Sequence, residues 1–420
     1  MVTKYKQDND LSILLETVPG VVSVSVALWI KTGSVNETKD QYGYAHFVEH
    51  LLFKGTKNYS AKEIAQMVDR VGGQHNAATN REYTCYYINV VSEHLELAIS
   101  LLADMYYNSL FDPLELQKEK KVVIEEIRMS EDAPDEYVHD LFLEKMLQNH
   151  PLAHPILGTI EGIQESNQTS LVDFYKEYYR NDNALFVMAG NFEEKRVQKL
   201  ISKHFSKKTD SINFKESLEL SYPQKVSNFH VERDLEQVHF CLGLEGLKRS
   251  DRYRWPLYVF NTILGGSMSS RLFQKIRENE GLCYSIYSFH SSFSDHGVFG
   301  VYSATSPDNF VRVIELVLQE ARGILKNGFK DSEIEDAKTF IKGNFALSIE
   351  STEVKMVQLA KNELFFQKVC GFDEMSKRID ALTRDDLQEI IEILFKDKIF
   401  SNISIGKTNK DKIAPLNLKI

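Results

Sequence analysis

Five residues near the start of the chain, His46-Phe47-Val48-Glu49-His50, bring together two imidazoles and a carboxylate. On a helix, positions i, i+3 and i+4 fall on one face, about one turn apart. Two histidines so placed can take one tetrahedral zinc ion between them, with a carboxylate beside them to accept or deliver a proton. Phe47, Leu51 and Leu52 give the helix an apolar side, and Gly43 and Gly55 bracket a segment of about three turns. A rigid helix suits ligands that must be placed to a fraction of an ångström.

Catalytic zinc takes three protein ligands and leaves a fourth position open, so a third donor must come from elsewhere. The stretch Glu115–Glu131, ELQKEKKVVIEEIRMSE, reads as a helix rich in both charges. Glu119 and Glu126 are seven residues apart, two turns, and share a face, whereas Glu125 lies about a quarter-turn away. Val122, Val123 and Ile127 predict that part of this helix is buried, and a buried carboxylate needs a partner. Spacing alone does not choose among these glutamates.

Three segments, GSVNETKDQYGYAHFVEHLLFKGT, GGQHNAATNREYTCYYINV and KKVVIEEIRMSEDAPDE, resemble the pitrilysin (insulinase-like) zinc metallopeptidases, the inverzincin HxxEH class. The chain is similar to short two-domain members of bacterial type and to the mitochondrial processing peptidase beta subunit. In that family the third ligand is the second glutamate of the EE pair, some 76 residues after the last histidine, which is Glu126 here. The resemblance thus implies one Zn2+ per chain on His46, His50 and Glu126, with Glu49 as general base. Glu119 matches the acidic residue that supports a ligand, a role that fixes orientation and tunes basicity.

Substrate contacts follow in the same way. Gly72-Gly73 and the run after it read as a turn leading into paired strands, and a free strand edge beside a metal would bind an extended peptide through its backbone. The resemblance implies Asn76 and Ala77 as contact residues on that strand, while His75 departs from the family's common residues and is expected to line the site. The segment GGSMSSRLFQKIRENEGLCYSIYS is similar to the family's arginine–tyrosine motif, which implies that Arg277 and Tyr284 reach the substrate. A tyrosine can donate to a developing oxyanion or a carbonyl, and an arginine can hold a backbone carbonyl.

With 420 residues the chain is long enough for two domains with substantial cores. At 43% hydrophobic and 26% charged residues it has the composition of a soluble protein, and a net charge of -10 argues against nucleic-acid binding. Its four cysteines (Cys85, Cys241, Cys283, Cys370) show no CxxC spacing and read as thiols in a reducing compartment. The start, MVTKYKQDND, has no apolar signal core and no stretch is long enough to span a membrane, so a cytoplasmic location is expected.

The chain reads as a duplication. Val22, Val24, Val26, Leu28 and Ile30 alternate as a half-buried strand before the histidine helix, and Val238, Phe240 and Leu242 do the same before a helix near Arg254. FDPLELQKEKKVVIEE is echoed 218 positions later by FKDSEIEDAKTFIKGN, where Asn344 stands opposite Glu126. The expected fold class is α+β, with two similar domains, each a mainly antiparallel sheet with helices packed on one face. The expected divisions are a zinc domain at 1–208, a polar linker at 209–224, and a second domain at 225–420. The resulting expectation is a zinc metalloendopeptidase that hydrolyses short or unfolded peptides inside a closed chamber. Because larger members of the family use four such domains, a homodimer is expected, or a heterodimer with an inactive paralogue. The alternative is a catalytically inactive scaffold or accessory subunit.

Overall fold

Two segments, SVSVALWI and ALFVMAG, are apolar at almost every position, which is the pattern of strands covered on both faces rather than one. In the computed structural model, which describes residues 2–209, 228–408 and 417–420, both are central strands of one sheet. That sheet contains β1 (Val2–Lys6), β2 (Ser12–Thr17), β3 (Ser23–Ile30), β4 (Gln74–Thr79), β5 (Thr84–Val91) and β6 (Ala184–Gly190), in the order β1-β2-β6-β3-β5-β4. Its pairs are antiparallel except β2 with β6. A second sheet holds β7 (Asn228–Glu232), β8 (Val238–Glu245), β9 (Cys283–Ser292), β10 (Gly297–Thr305) and β11 (Ser401–Gly406), ordered β7-β11-β8-β10-β9.

The two sheets share a wiring. In each, a strand from the start of the repeat pairs parallel with the last strand, which pairs antiparallel with the next strand inward. In each, a hairpin completes the far side and leaves its first strand, β4 or β9, at the edge. The two echoed segments are both helical after their first two residues, in Pro113–Asp132 and Asp331–Ser348. The mainly antiparallel α+β class read from the sequence is therefore the observed one, but the expected packing of helices on one face is not: each sheet carries helices on both faces.

The compact units are not contiguous along the chain. The first gathers residues up to Met129, those from His154 to 209, and Ser348–Val369. The second gathers Ser130–Ala153, 228–347, and the described residues from Cys370 on. Each half of the chain thus lends a helix to the other's sheet, where a simple division at 208 and 225 was expected. The physical cause is the two-faced strands. On one face of the first sheet, Ile13, Val26, Leu28 and Phe186 join Phe47, Leu51 and Val123 in the main core. On the other face, Leu14, Trp29, Leu185 and Val187 are covered by Met356, Leu359 and Ala360 of the helix Thr352–Phe366. The second sheet receives the helix Pro134–Met146 in the same manner. Gly243 and Gly300 face each other in β8 and β10, and a Cβ at Gly243 would lie 2.3 Å from the Phe142 ring, so that helix needs glycine there to approach. The expected linker lies, apart from Thr209, outside the described residues. Among the described residues no helix is long and apolar enough to cross a membrane.

Candidate metal centre

The histidines sit on the helix Tyr44–Leu52 in the first unit. Tyr44, Ala45, Phe47, Val48, Leu51 and Leu52 are buried and fix the rotation of the helix, which leaves His46, Glu49 and His50 together on the remaining face. The helix Pro113–Asp132 is phased by Leu116, Val123 and Ile127, which are buried with Glu119. Its start is capped by the Asp112 carboxylate, which accepts from the Leu114 and Glu115 amides.

That phasing turns Glu126 toward both imidazoles. His50 Nε2 lies 3.4 Å and His46 Nε2 3.8 Å from Glu126 Oε2, and one donor atom from each of the three residues lies within 4.8 Å of the others. Glu125, one residue away, instead pairs with Arg128 at 2.5 Å on the exposed side. Of the glutamates that spacing left open, Glu126 is the one the fold turns toward the two histidines.

His50 is oriented by a second contact. Its Nδ1 lies 3.1 Å from Glu119 Oε2, and Lys54 Nζ reaches the other Glu119 oxygen at 2.8 Å. The carboxylate partner engages Nδ1 as a donor and leaves Nε2, on the Glu126 side, as the nitrogen that could take a metal. Burial works against ionisation of Glu119, but the bonds from His50 and Lys54 outweigh it and hold the carboxyl below its usual range. Burial, aided by the neighbouring His50, pushes His46 down to about 3, so its imidazole is the neutral, ligating form at neutral pH. An N, N, O donor set of this kind, with a carboxylate behind one imidazole, fits zinc. Glu119→Gln removes the anion that orients His50 and is expected to weaken zinc binding by about 10–100-fold. Competition with a chelator measures the change, and an unaltered affinity would count against the Glu119 role.

Glu49 has a separate environment. The Thr79 hydroxyl donates to its Oε2 at 2.5 Å and the Thr79 backbone N–H also bonds it. Burial is the main influence and raises the Glu49 carboxyl above its ordinary value. Thr79 belongs to β4, which is the edge strand, as the sequence led one to expect. The Ala77 N–H is bonded to Asn76 Oδ1 at 2.9 Å and that of Thr79 to Glu49, so ladder alternation puts His75, Ala77 and Thr79 with their backbone groups on the free edge.

The same alternation separates the two expected contact residues. Thr79 meets Glu49 and the His75 ring lies 5.6 Å from Phe53, so residues 75, 77 and 79 face the histidine helix. Asn76 faces the other side, where it bonds the Tyr87 hydroxyl. Ala77 is therefore on the side of the strand that faces the histidine helix, whereas the Asn76 side chain is turned away from it. His75 lines that face and is not part of the three-residue group.

In the second unit, Arg277 lies on the π-helical segment Phe273–Asn279 and Tyr284 on the edge strand β9. The guanidinium stands 4.8 Å over the Tyr284 ring and 4.5 Å over Phe273. Tyr284 is 78% exposed. Residues that sequence reasoning passed over include Thr79, which carries no motif of its own, and Lys54, which follows His50 at i+4 and could have been found by that spacing.

Residues 12–160 match the model of the Insulinase (Peptidase family M16) family, and residues 167–341 match that of the Peptidase M16 inactive domain. An uncharacterized zinc protease of Bacillus subtilis (strain 168), YmxG, is 40% identical over 94% of this chain and 96% of its own length. An uncharacterized zinc protease of Streptomyces coelicolor is 36% identical, over 90% of this chain and 84% of its own. Among solved structures, a protease from Helicobacter pylori aligns with a TM-score of 0.90 at 23% identity, covering 97% of this chain and 99% of that one. A peptidase M16 inactive domain from Pseudomonas fluorescens aligns equally well at 19% identity, over 97% and 98%. At those identities the two structures speak to the fold.

Proposed function

The chain belongs to the insulinase peptidase family, M16, and from that premise we propose that it is a zinc-dependent endopeptidase acting on short or unfolded peptides. The observation that carries the reading is the convergence of His46, His50 and Glu126 within 4.8 Å, with Glu49 on the same helix face. A zinc ion held by those three residues would polarise a peptide carbonyl and make water acidic enough to lose a proton near neutral pH.

The chain's own groups supply the remainder. Glu49, held in place by Thr79, takes the proton from the attacking water and delivers it to the leaving amine. Burial raises its affinity for that proton, which suits a group that must both accept and release one. The free edge of β4 pairs with an extended peptide, and Ala77 offers backbone groups and a small side chain there. Backbone pairing gives affinity with little demand on sequence, in keeping with a broad set of peptides. Tyr284 and Arg277, stacked on each other, are assigned to contact with the substrate backbone.

An inactive scaffold is the competing reading, and the inactive-domain description applies to residues 167–341. His46, Glu49, His50 and Glu126 all lie outside that stretch. Purified protein is expected to carry one zinc per chain, to cleave peptides, to lose that activity with a chelator and to regain it with zinc. Cleavage that persists after complete removal of the metal would refute the proposal.

A further inference from the structure

The helix that bears both histidines begins without a cap of its own. Its N-cap is Gly43, with φ of +94° and no side chain to accept a hydrogen bond. The first-turn amides of a helix have no partners within it and must find them elsewhere. Solvent cannot serve here, because the chain closes over this end: a Cβ on Gly43 would lie 2.6 Å from the Leu157 carbonyl oxygen. Glu37, six residues upstream, supplies the partners instead. Its Oε2 accepts from the Gly43 amide at 2.9 Å and its Oε1 from the Ala45 amide at 2.7 Å.

The Glu37 side chain has 0% exposure, and His154 Nε2 lies 3.6 Å from its Oε2. His154 is itself fixed by a 2.5 Å bond to the Ser34 carbonyl and by stacking on Tyr42 at 4.1 Å. Burial pushes the Glu37 carboxyl up to about 8 and the two amides oppose it. With one N–H donor on each oxygen, the carboxyl serves this end of the helix as a two-handed acceptor.

The two histidine ligands differ in what orients them. His50 is held through Nδ1 by Glu119, whereas His46 Nδ1 is buried with no hydrogen-bond partner. His46 is also the third residue of the helix, within the turn that frays most readily when its amides are unsatisfied. Its aim therefore depends on the backbone beneath it. We propose that Glu37 is a positioning residue for His46, a buried carboxylate that pins the first turn and so substitutes for the missing partner on the imidazole. The inference rests on the reading of His46, His50 and Glu126 as a zinc site.

Glu37→Gln tests it, because either rotamer of the amide sets an NH2 group against a backbone N–H. The readouts are the zinc dissociation constant by chelator competition, the visible spectrum of the Co2+-loaded protein, and KM for a peptide. Val197→Ala, a core truncation on the helix Glu194–His204, controls for general loss of stability. Glu37→Gln is expected to weaken zinc binding by about 10–100-fold, as loss of ligand-orienting groups does, with an altered Co2+ spectrum and near-normal KM. Val197→Ala is expected to lower the melting temperature and leave the zinc dissociation constant unchanged. Should Glu37→Gln fail to fold, Glu37→Asp, which keeps the carboxyl on a shorter arm, is expected to give an intermediate loss. A folded Glu37 variant with wild-type zinc affinity and Co2+ spectrum would overturn the inference, as would an equal affinity loss in Val197→Ala. Wild-type protein that binds no zinc would instead overturn the zinc site itself, and this inference with it.

Discussion

Glu49→Gln is expected to lower kcat for peptide hydrolysis by about 10²–10⁴-fold, the usual contribution of a positioned general base, and to leave zinc content at one per chain. The substitution is close to isosteric, and the amide oxygen can still accept from the Thr79 hydroxyl that meets Glu49 at 2.5 Å. What it removes is the capacity to take a proton. Zinc is expected to stay because the three donor atoms come from His46, His50 and Glu126, and Glu49 is not among them. Metal analysis alongside single-turnover and steady-state kinetics separates the two effects. Near-normal kcat in the variant would remove Glu49 from the mechanism, and loss of zinc would make it a ligand.

Glu126→Gln is expected to show the opposite signature: zinc binding fails first, and activity with it. A neutral amide replaces the one anionic donor of the group, where both imidazole Nε2 atoms lie within 3.8 Å of the carboxylate. Removing a group that merely orients a ligand costs about 10–100-fold in metal affinity, so loss of the ligand itself is expected to exceed about 100-fold. Glu125→Gln is the matched control. That side chain is exposed and paired with Arg128, a surface contact worth about 1 kcal/mol or less. It should leave zinc content and turnover as they were. Chelator competition on the two variants decides the point, and zinc retained by Glu126→Gln or lost by Glu125→Gln would move the third ligand elsewhere.

The contrast between these neighbours shows where the sequence was legible. The i, i+4 histidines and their glutamate are local, and helix geometry alone placed them together. The choice between Glu125 and Glu126 came from resemblance, yet the burial of Leu116, Val123 and Ile127 is what rotates Glu126 inward and Glu125 out. Alternating apolar residues located the strands, although β3 and β8, read as half-buried, are covered on both faces and Val22 lies exposed outside β3; the β4 edge could be read from the Gly72-Gly73 turn and the hairpin after it. Asn76 was less legible, since which face of an edge strand meets the helix is decided by the packing of that helix.

Contacts set by chain closure left no local mark. Glu37 reaches Gly43 and Ala45 across a loop, and His154 arrives from more than a hundred residues later. The exchanged helices are of the same kind. Pro134–Met146 and Thr352–Phe366 carry ordinary apolar faces, and nothing within them says which sheet each will cover. The signal lay in their targets: a strand as uniformly apolar as ALFVMAG, buried at every position, requires cover on both faces.

The central claim is that this metal group and its glutamate cut peptide bonds. The most direct measurement is a mass-spectrometric map of fragments from a peptide mixture, treated in parallel with zinc-loaded wild type and zinc-loaded Glu49→Gln. Internal cleavages made by the wild type and missing from the variant are the predicted result. Wild-type protein that holds its zinc and cuts nothing, or a variant that yields the same fragments at a similar rate, would contradict it.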